Sequence, residues 1–461
     1  MRHPDKITSS RREDYAYLSA TAARAALTAG EFSAVDYVSA LVERIERSNS
    51  HLHAFLSLAP DLALRSARHA DRRRAAGLRL PPLHGIPFAA KDLIDVRGQR
   101  TTAHSRVVAE AASKTAAAVL QLQRRGGIYL GKLALEEFGI GSPLDSLAWP
   151  SPSNPWDRRR TAGGSSSGSA VALAAGLVPL ALGTDTGGST RAPAAYCGLV
   201  ALKPTKQRVD MRGVLPLAPT LDTIGPMARS AADCALLFAG LTGQTRGEGY
   251  KENRIGVVAI RSAGLSVDAD VAEAMEAAVR ALGSLGGRIG KVDFPHFSLA
   301  RQIGGAILGH EAYAIHRERL ARHAHLYGDT CRRRLQSGAH IGAVVYAEAL
   351  QRREQLRAQV DQLFARFDVL AMPVTFGAAA ALDDLEGLSR SSDVSFRLPF
   401  NVTGHPAIVF CTGFNADGLP LSMQLVGRRG EDERLLDLAI AYQQITTWHE
   451  MHPSDLGWGP C

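Results

Sequence analysis

The chain has 461 residues, a formal net charge of +8, 46% apolar residues and 21% charged residues. That is enough for one large domain or two to three small ones around a sizeable core. No apolar run approaches roughly 18 residues, which excludes a membrane-spanning helix of the usual kind. The opening MRHPDKITSSRRED lacks the apolar stretch of a secretory leader, so a cytoplasmic location is expected. The five cysteines, Cys197, Cys234, Cys331, Cys411 and Cys461, have neither pairing nor metal-ligand spacing, which fits a reducing compartment. The positive charge is mostly arginine, in triplets at Arg72–Arg74, Arg158–Arg160 and Arg332–Arg334. These lie far apart and lack interleaved aromatics, so no direct nucleic-acid contact is expected.

Residues 13–29 read as an alanine-rich helix ended by Gly30. Ser33 then has the signature of a helix N-cap, with Asp36 three positions on and Val38, Leu41, Val42 and Ile45 at helical spacing. Another helix covers about 61–76, and Pro81-Pro82 closes a helical portion of about 1–80. Residues 83–98, LHGIPFAAKDLIDVRG, read as strand, turn, strand. Lys91 sits inside that apolar run, either at the end of an edge strand or as a buried functional amine. A helix from Thr115 to Arg125 leads into GGIYLGK. Gly126 to Lys132 matches most of the phosphate-loop pattern G-x-x-x-x-G-K, but Leu133 follows where Ser or Thr is needed. The strand signal also falls inside the motif, so Ile128, Tyr129 and Leu130 read as a core strand. Residues 141–160 read as a long ordered loop.

Beyond the central Gly/Ser-rich stretch, Leu199 to Thr205 reads as a strand, 214–227 as extended loop and about 230–241 as a helix. Residues 254–260, 268–285 and 288–294 form a strand–helix–strand unit. Helical patterns cover about 299–322 and 340–366, strands 368–374, 406–414 and 421–427, and a last helix about 431–447. Strands alternating with helices predict an α/β fold, layered on a large sheet. One domain over residues 1–461 is the preferred division.

The chemistry is concentrated between Thr161 and Pro193. Two runs, Gly163-Gly164-Ser165 and Gly187-Gly188-Ser189, stand 24 positions apart, separated by a small-residue segment and an apolar run ending at Asp185. Glycine belongs where backbone turns sharply or approaches a ligand, and each run sets a hydroxyl there. A serine needs a base, and a desolvated lysine can serve. The hypothesis is Ser189 as nucleophile, Ser165 as relay and Lys91 as general base. The backbone of Thr186, Gly187, Gly188 and Ser189 would supply an oxyanion hole. The competing view is that both runs are plain turns. A second competitor is Gly164-Ser165-Ser166-Ser167-Gly168, which satisfies G-x-S-x-G and would make Ser166 the nucleophile with a histidine such as His405 or His449. It needs a strand just before it, yet DRRRT is polar and charged. The histidines show no clear zinc spacing, so no metal is expected.

The motifs together resemble the amidase-signature family nearly end to end: HGIPFAAKD, GKLALEEFGIG, GGSSSGSAVALAAG, LALGTDTGGSTRAPAAYCGLVALKPT, LDTIGPMARSAADCALLF and FNVTGHPAI. The resemblance implies a large mixed β-sheet sandwiched between layers of helices. It implies a Ser–cis-Ser–Lys triad of Ser189, Ser165 and Lys91, a cis peptide at Gly164–Ser165, and supporting roles for Ser166, Asp185 and Arg191. Thr190 stands where the family usually has an aliphatic residue. No cofactor is implied. Two functions are open: an amidase hydrolysing a small amide through a Ser189 acyl-enzyme, or the glutaminase subunit of a tRNA-dependent amidotransferase. The subunit tends to carry a YGRVSR-like run after its KPT. Here Thr205-Lys206-Gln207-Arg208-Val209-Asp210 follows, which favours the free-standing hydrolase, with a homodimer possible. Helices near 299–366 would wall the acyl pocket, where Arg317, Arg319, Arg332–Arg334 or His310 could meet an acidic substrate. A small polar amide, such as a urea-like one or a dicarboxylic half-amide, is the expected substrate, with aryl amides left open.

Overall fold

The apolar run around Lys91 is a central strand, not an edge. The computed structural model describes residues 15–108, 110–145, 147–244 and 253–453. Its strands are β1 (Phe55–Leu58), β2 (Pro87–Lys91), β3 (Ile128–Leu133), β4 (Leu180–Asp185), β5 (Val200–Lys203), β6 (Thr223–Ala228), β7 (Arg254–Val258), β8 (Arg288–Val292), β9 (Val369–Pro373), β10 (Ala407–Phe414) and β11 (Pro420–Gly427). They form one mixed sheet in the order β1-β3-β2-β4-β6-β5-β10-β11-β9-β7-β8. β2 runs parallel to both β3 and β4, while β6 is antiparallel to β4 and β5. Every residue of β2, β3, β4, β5 and β6 is buried. β2 to β5 read as largely apolar runs rather than alternations because neither face meets water.

The covering helices are α1 (Ala20–Ala29), α2 (Ala34–Leu52), α3 (Pro60–Ala75), α4 (Ala117–Arg124), α5 (Ser167–Ala174), α6 (Arg191–Tyr196), α7 (Ala231–Thr242), α8 (Ala269–Ser284), α9 (Phe297–His323), α10 (Asp329–Ser337), α11 (Ala343–Leu363), α12 (Leu385–Ser392), α13 (Leu398–Thr403) and α14 (Asp432–Gln444). Capping follows the sequence cues. Ser33 accepts from the Asp36 N–H at 3.0 Å, and Gly30 ends α1 at φ +77°, the left-handed conformation glycine adopts freely. One apolar core packs α1, α2, α5, α7 and α14 on the β2–β6 region. A second joins α9, α11 and α13 to β9. α5 is buried at every residue. Its small side chains let its backbone lie close under the sheet, as at Gly168, where a Cβ would come within 2.5 Å of the Ala134 backbone.

Several sequence expectations shift. The first helix starts at Ala20, where Ser19 caps it. Residues 15–17 form a turn, and 13–14 lie outside the described residues. Of the two strands expected in 83–98, only β2 forms; the second reduces to one bridge, Ile94 to Val214. The stretch 214–227 is not all loop, since its end is β6, deep in the sheet. Gly225 and Pro226 disguised it. The pairing with β5 stops at Met227, and proline is tolerated where a ladder ends. β1, α6, α12 and α13 had no clear local signal, being 4, 6, 8 and 6 residues long.

Candidate active site

Lys91 ends β2 with its side chain fully buried. Its Nζ lies 2.7 Å from Ser165 Oγ, 3.0 Å from Ser166 Oγ and 2.9 Å from Thr184 Oγ1. Burial pulls its pKa down to about 7, although Glu136, Asp185 and Asp222 pull the other way. Ser165 follows a cis peptide from Gly164. Its carbonyl accepts the Glu136 N–H at 3.1 Å. Ser166 precedes α5 with its hydroxyl enclosed, donating to the Thr184 carbonyl at 3.2 Å and accepting the Thr184 N–H at 3.3 Å.

The second turn leaves β4 at Asp185. This buried carboxylate accepts the N–H of Gly188 at 2.8 Å, the N–H and hydroxyl of Thr190 at 3.2 and 2.9 Å, and the Asn401 amide at 2.8 Å. The Arg191 guanidinium grips it bidentately, Nε and NH2 each at 3.1 Å. Burial alone would raise the Asp185 pKa, but the Arg191 charge and the bonds from Arg191 and Asn401 hold it well below the usual carboxylate range. Arg191 is in turn fixed by Gln424 at 3.1 Å and Asn401 at 2.7 Å. Thr190 is therefore not an aliphatic filler here: its hydroxyl helps to hold Asp185. Thr186 donates its hydroxyl to Asp222 at 2.6 Å.

Ser166 N–H donates to the Ser189 carbonyl at 3.0 Å, so the two glycine–serine turns do meet. Gly188 adopts φ +112°, and a Cβ there would fall 2.5 Å from Arg397 Cδ and Nε. Only glycine lets the turn lie against that guanidinium. The Gly188 N–H is committed to Asp185, whereas those of Gly187 and Ser189 make no hydrogen bond among the described residues. Ser189 and Gly187 are half-buried, while Lys91, Ser165 and Ser166 are buried. Ser189 is thus more accessible than Ser165, and Lys91 and Ser165 form an enclosed amine–hydroxyl pair.

Other sequence candidates go elsewhere. Ser166 is sealed in and no strand precedes it, which removes the nucleophile-elbow geometry. His405 bonds Thr403 at 2.9 Å and Asp361 at 3.0 Å. His449 lies on a short helical turn, Trp448–Glu450, near the end of the described chain. Lys132 pairs with Asp92 at 3.2 Å and donates to the Ile94 carbonyl and Thr101. The phosphate-loop look-alike is thus a core strand ending in a buried ion pair. His310 stacks on Tyr346 and faces the Ile341 carbonyl. Arg334 donates to the carbonyls of Ile140 and Gly141, each at 2.9 Å. Thr184, Asn401, Gln424 and Asp222 escaped sequence reasoning. Asn401 is 216 residues from Asp185, and no local spacing announces such a partnership.

Comparison with known proteins agrees with the geometry. A model of the amidase family matches residues 36–436. A glutamyl-tRNA(Gln) amidotransferase subunit of Chloroflexus aurantiacus is 36% identical, over 95% of this chain and 98% of its own length. Among solved structures, a protein from a vestigial complex related to the origins of an s-triazine catabolic enzyme superposes with a TM-score of 0.86. It is 28% identical, over 93% of this chain and 98% of that one. The peptide amidase of Stenotrophomonas maltophilia superposes with a TM-score of 0.81 at 27% identity, over 96% of this chain and 99% of that one. Sequence motifs, sheet order and the meeting of the two turns lead to one assignment: this chain belongs to the amidase-signature family.

Proposed function

We propose that the protein hydrolyses a carboxamide through an acyl-enzyme on Ser189. The observation that carries this is the Lys91 amine, fully buried and ringed by three hydroxyls, beside a turn bonded to Ser189. Neutral Lys91 takes the proton of Ser165 as Ser165 takes that of Ser189. The Ser189 Oγ attacks the amide carbon, and the developing oxyanion is met by N–H groups of the 186–189 turn. Because the Gly188 N–H already serves Asp185, Gly187 and Ser189 are the better donors. Preorganised donors of this kind are worth roughly 3–4 kcal/mol each. Ser165 returns a proton to the leaving nitrogen, the C–N bond breaks and ammonia or an amine departs. Water, deprotonated through the same relay, then cleaves the ester. Asp185 and Arg191 shape the turn without touching the substrate.

The relatives named as glutamyl-tRNA(Gln) amidotransferase subunits, 36% identical over nearly full length, support glutamine as the amide and the role of a glutaminase subunit. They favour this over the free-standing hydrolase expected from the run after Lys203-Pro204-Thr205. The test is to incubate the protein with glutamine and with a panel of small amides, following ammonia. Glutamate release lost in Ser189→Ala supports the subunit reading. Hydrolysis of other amides with glutamine untouched supports the free-standing enzyme. No ammonia from any amide overturns both.

A further inference from the structure

One carboxylate at this site has no part in the mechanism above. Glu136 follows β3, and its backbone N–H donates to the Ser165 carbonyl at 3.1 Å, which ties it to the relay serine. Its carboxyl group lies flat against Gly164. A Cβ there would fall 2.0 Å from Oε1, 2.1 Å from Cδ and 2.4 Å from Oε2, so the carboxylate occupies the place a side chain at 164 would take. Yet it makes no hydrogen bond or ion pair among the described residues. Arg334, whose charge acts on Glu136, directs its NH1 to the carbonyls of Ile140 and Gly141. Its neighbours Gly139, whose N–H donates to the Glu136 carbonyl at 2.8 Å, and Gly164 are half-buried, like Glu136 itself. A half-buried carboxylate beside a reactive serine, with no donor among the described residues, is placed to accept one from a bound substrate.

We infer that Glu136 is a specificity residue: its carboxylate accepts a hydrogen bond from a cationic nitrogen of the substrate. The site therefore favours carboxamides that carry an ammonium group, glutamine among them, over neutral ones, and disfavours anionic amides that carry a carboxylate and no ammonium. This rests on the amidase reading and narrows its substrate class. It also narrows the expectation of a dicarboxylic half-amide to one that carries an ammonium group as well. Three charged groups act on Glu136: Lys91, Arg334 and Asp145. Burial raises its pKa to about 7, against the pull of Arg334 and Lys91 and with the push of Asp145.

The test compares three amides of similar size, β-alaninamide, propionamide and succinamate, at about pH 8, where Glu136 is ionised and the ammonium of the first is largely retained. The readout is the ratio of kcat/KM values. Wild type is expected to prefer β-alaninamide to propionamide by about tenfold or more, with succinamate poorest. In Glu136→Gln the preference falls to within about threefold, and succinamate gains on propionamide; Glu136→Asp restores part of it. An unchanged ratio in Glu136→Gln, or a wild type without charge preference, overturns the inference while the amidase reading stands. If wild type hydrolyses none of the three, nor glutamine, both fall. Should Glu136→Gln fail to fold, as judged by thermal unfolding, the wild-type ratio and Glu136→Asp still decide.

Discussion

Lys91 and Ser165 stand 74 residues apart in sequence and 2.7 Å apart in space, both buried. Three hydroxyls surround the amine. They match the three donors of an ammonium, or the two N–H groups and one lone pair of a neutral amine. Burial favours the neutral form. The Ser166 hydroxyl already donates to the Thr184 carbonyl, so it receives from Lys91, and the lone pair of the neutral amine is left to the Ser165 and Thr184 hydroxyls, Ser165 being the nearer at 2.7 Å.

The pH profile follows from this. A base must be unprotonated, so kcat/KM should rise with pH through a limb near 7, the value to which burial lowers Lys91, and level off above it. Glu136 is raised to about 7 by burial, so the limb in wild type belongs to a coupled pair. Glu136→Gln should keep the limb, whereas Lys91→Ala should lose it along with about two to four orders of magnitude in rate. Steady-state rates from pH 5 to 9 decide; a limb lost in Glu136→Gln would contradict the role of Lys91.

Ser189 is separated from its neighbour Ser166 by what each can reach. Ser189→Ala should lower turnover by about four orders of magnitude or more and abolish covalent capture by a serine-directed phosphonate, read by intact mass. Ser166→Ala should still form the adduct, because its hydroxyl is sealed against β4. An adduct on Ser189→Ala would remove Ser189 as nucleophile.

Asp185 and Arg191 form a fully buried pair at 3.1 Å. Breaking one side leaves a charge uncompensated, so Asp185→Asn or Arg191→Met should each cost about 3–5 kcal/mol by urea unfolding. The double variant should lose less than the sum. Because the folded pKa of Asp185 is depressed, its contribution is fully present above the unfolded value, roughly 4, and is lost as pH falls below it. Additive losses would show that the two groups act separately.

The adjacent glycines differ in what they tolerate. Gly188→Ala would hold a Cβ at φ +112° and within 2.5 Å of Arg397, so it should destabilise by more than about 1 kcal/mol. Gly187 has nothing nearer than 3.6 Å to such an atom, and Gly187→Ala should unfold at nearly the wild-type denaturant concentration. Equal midpoints for the two would contradict the close packing of the turn on Arg397.

The sequence by itself determined the local pieces and the reacting types. Ser33 and Gly30 mark helix ends because capping is settled within a few residues. The apolar runs of β3, β4 and β10 were legible because strands buried on both faces need no polar alternation. Lys91, Ser165 and Ser189 stood out because a lysine in an apolar run and two glycine–serine turns are uncommon local chemistry. It could not separate an edge strand from a central one for Lys91, since strand neighbours are fixed by pairing across the sheet: β2 lies between β3 and β4. Nor could it see β6 through Gly225 and Pro226, or Asn401 and Gln424 behind Arg191. Only the tertiary structure decided that Lys91 is desolvated, that Asp185 takes the Gly188 N–H and that Glu136 has no donor among the described residues. Each depends on groups tens to hundreds of residues away, brought together by burial and long-range hydrogen bonding rather than by spacing along the chain.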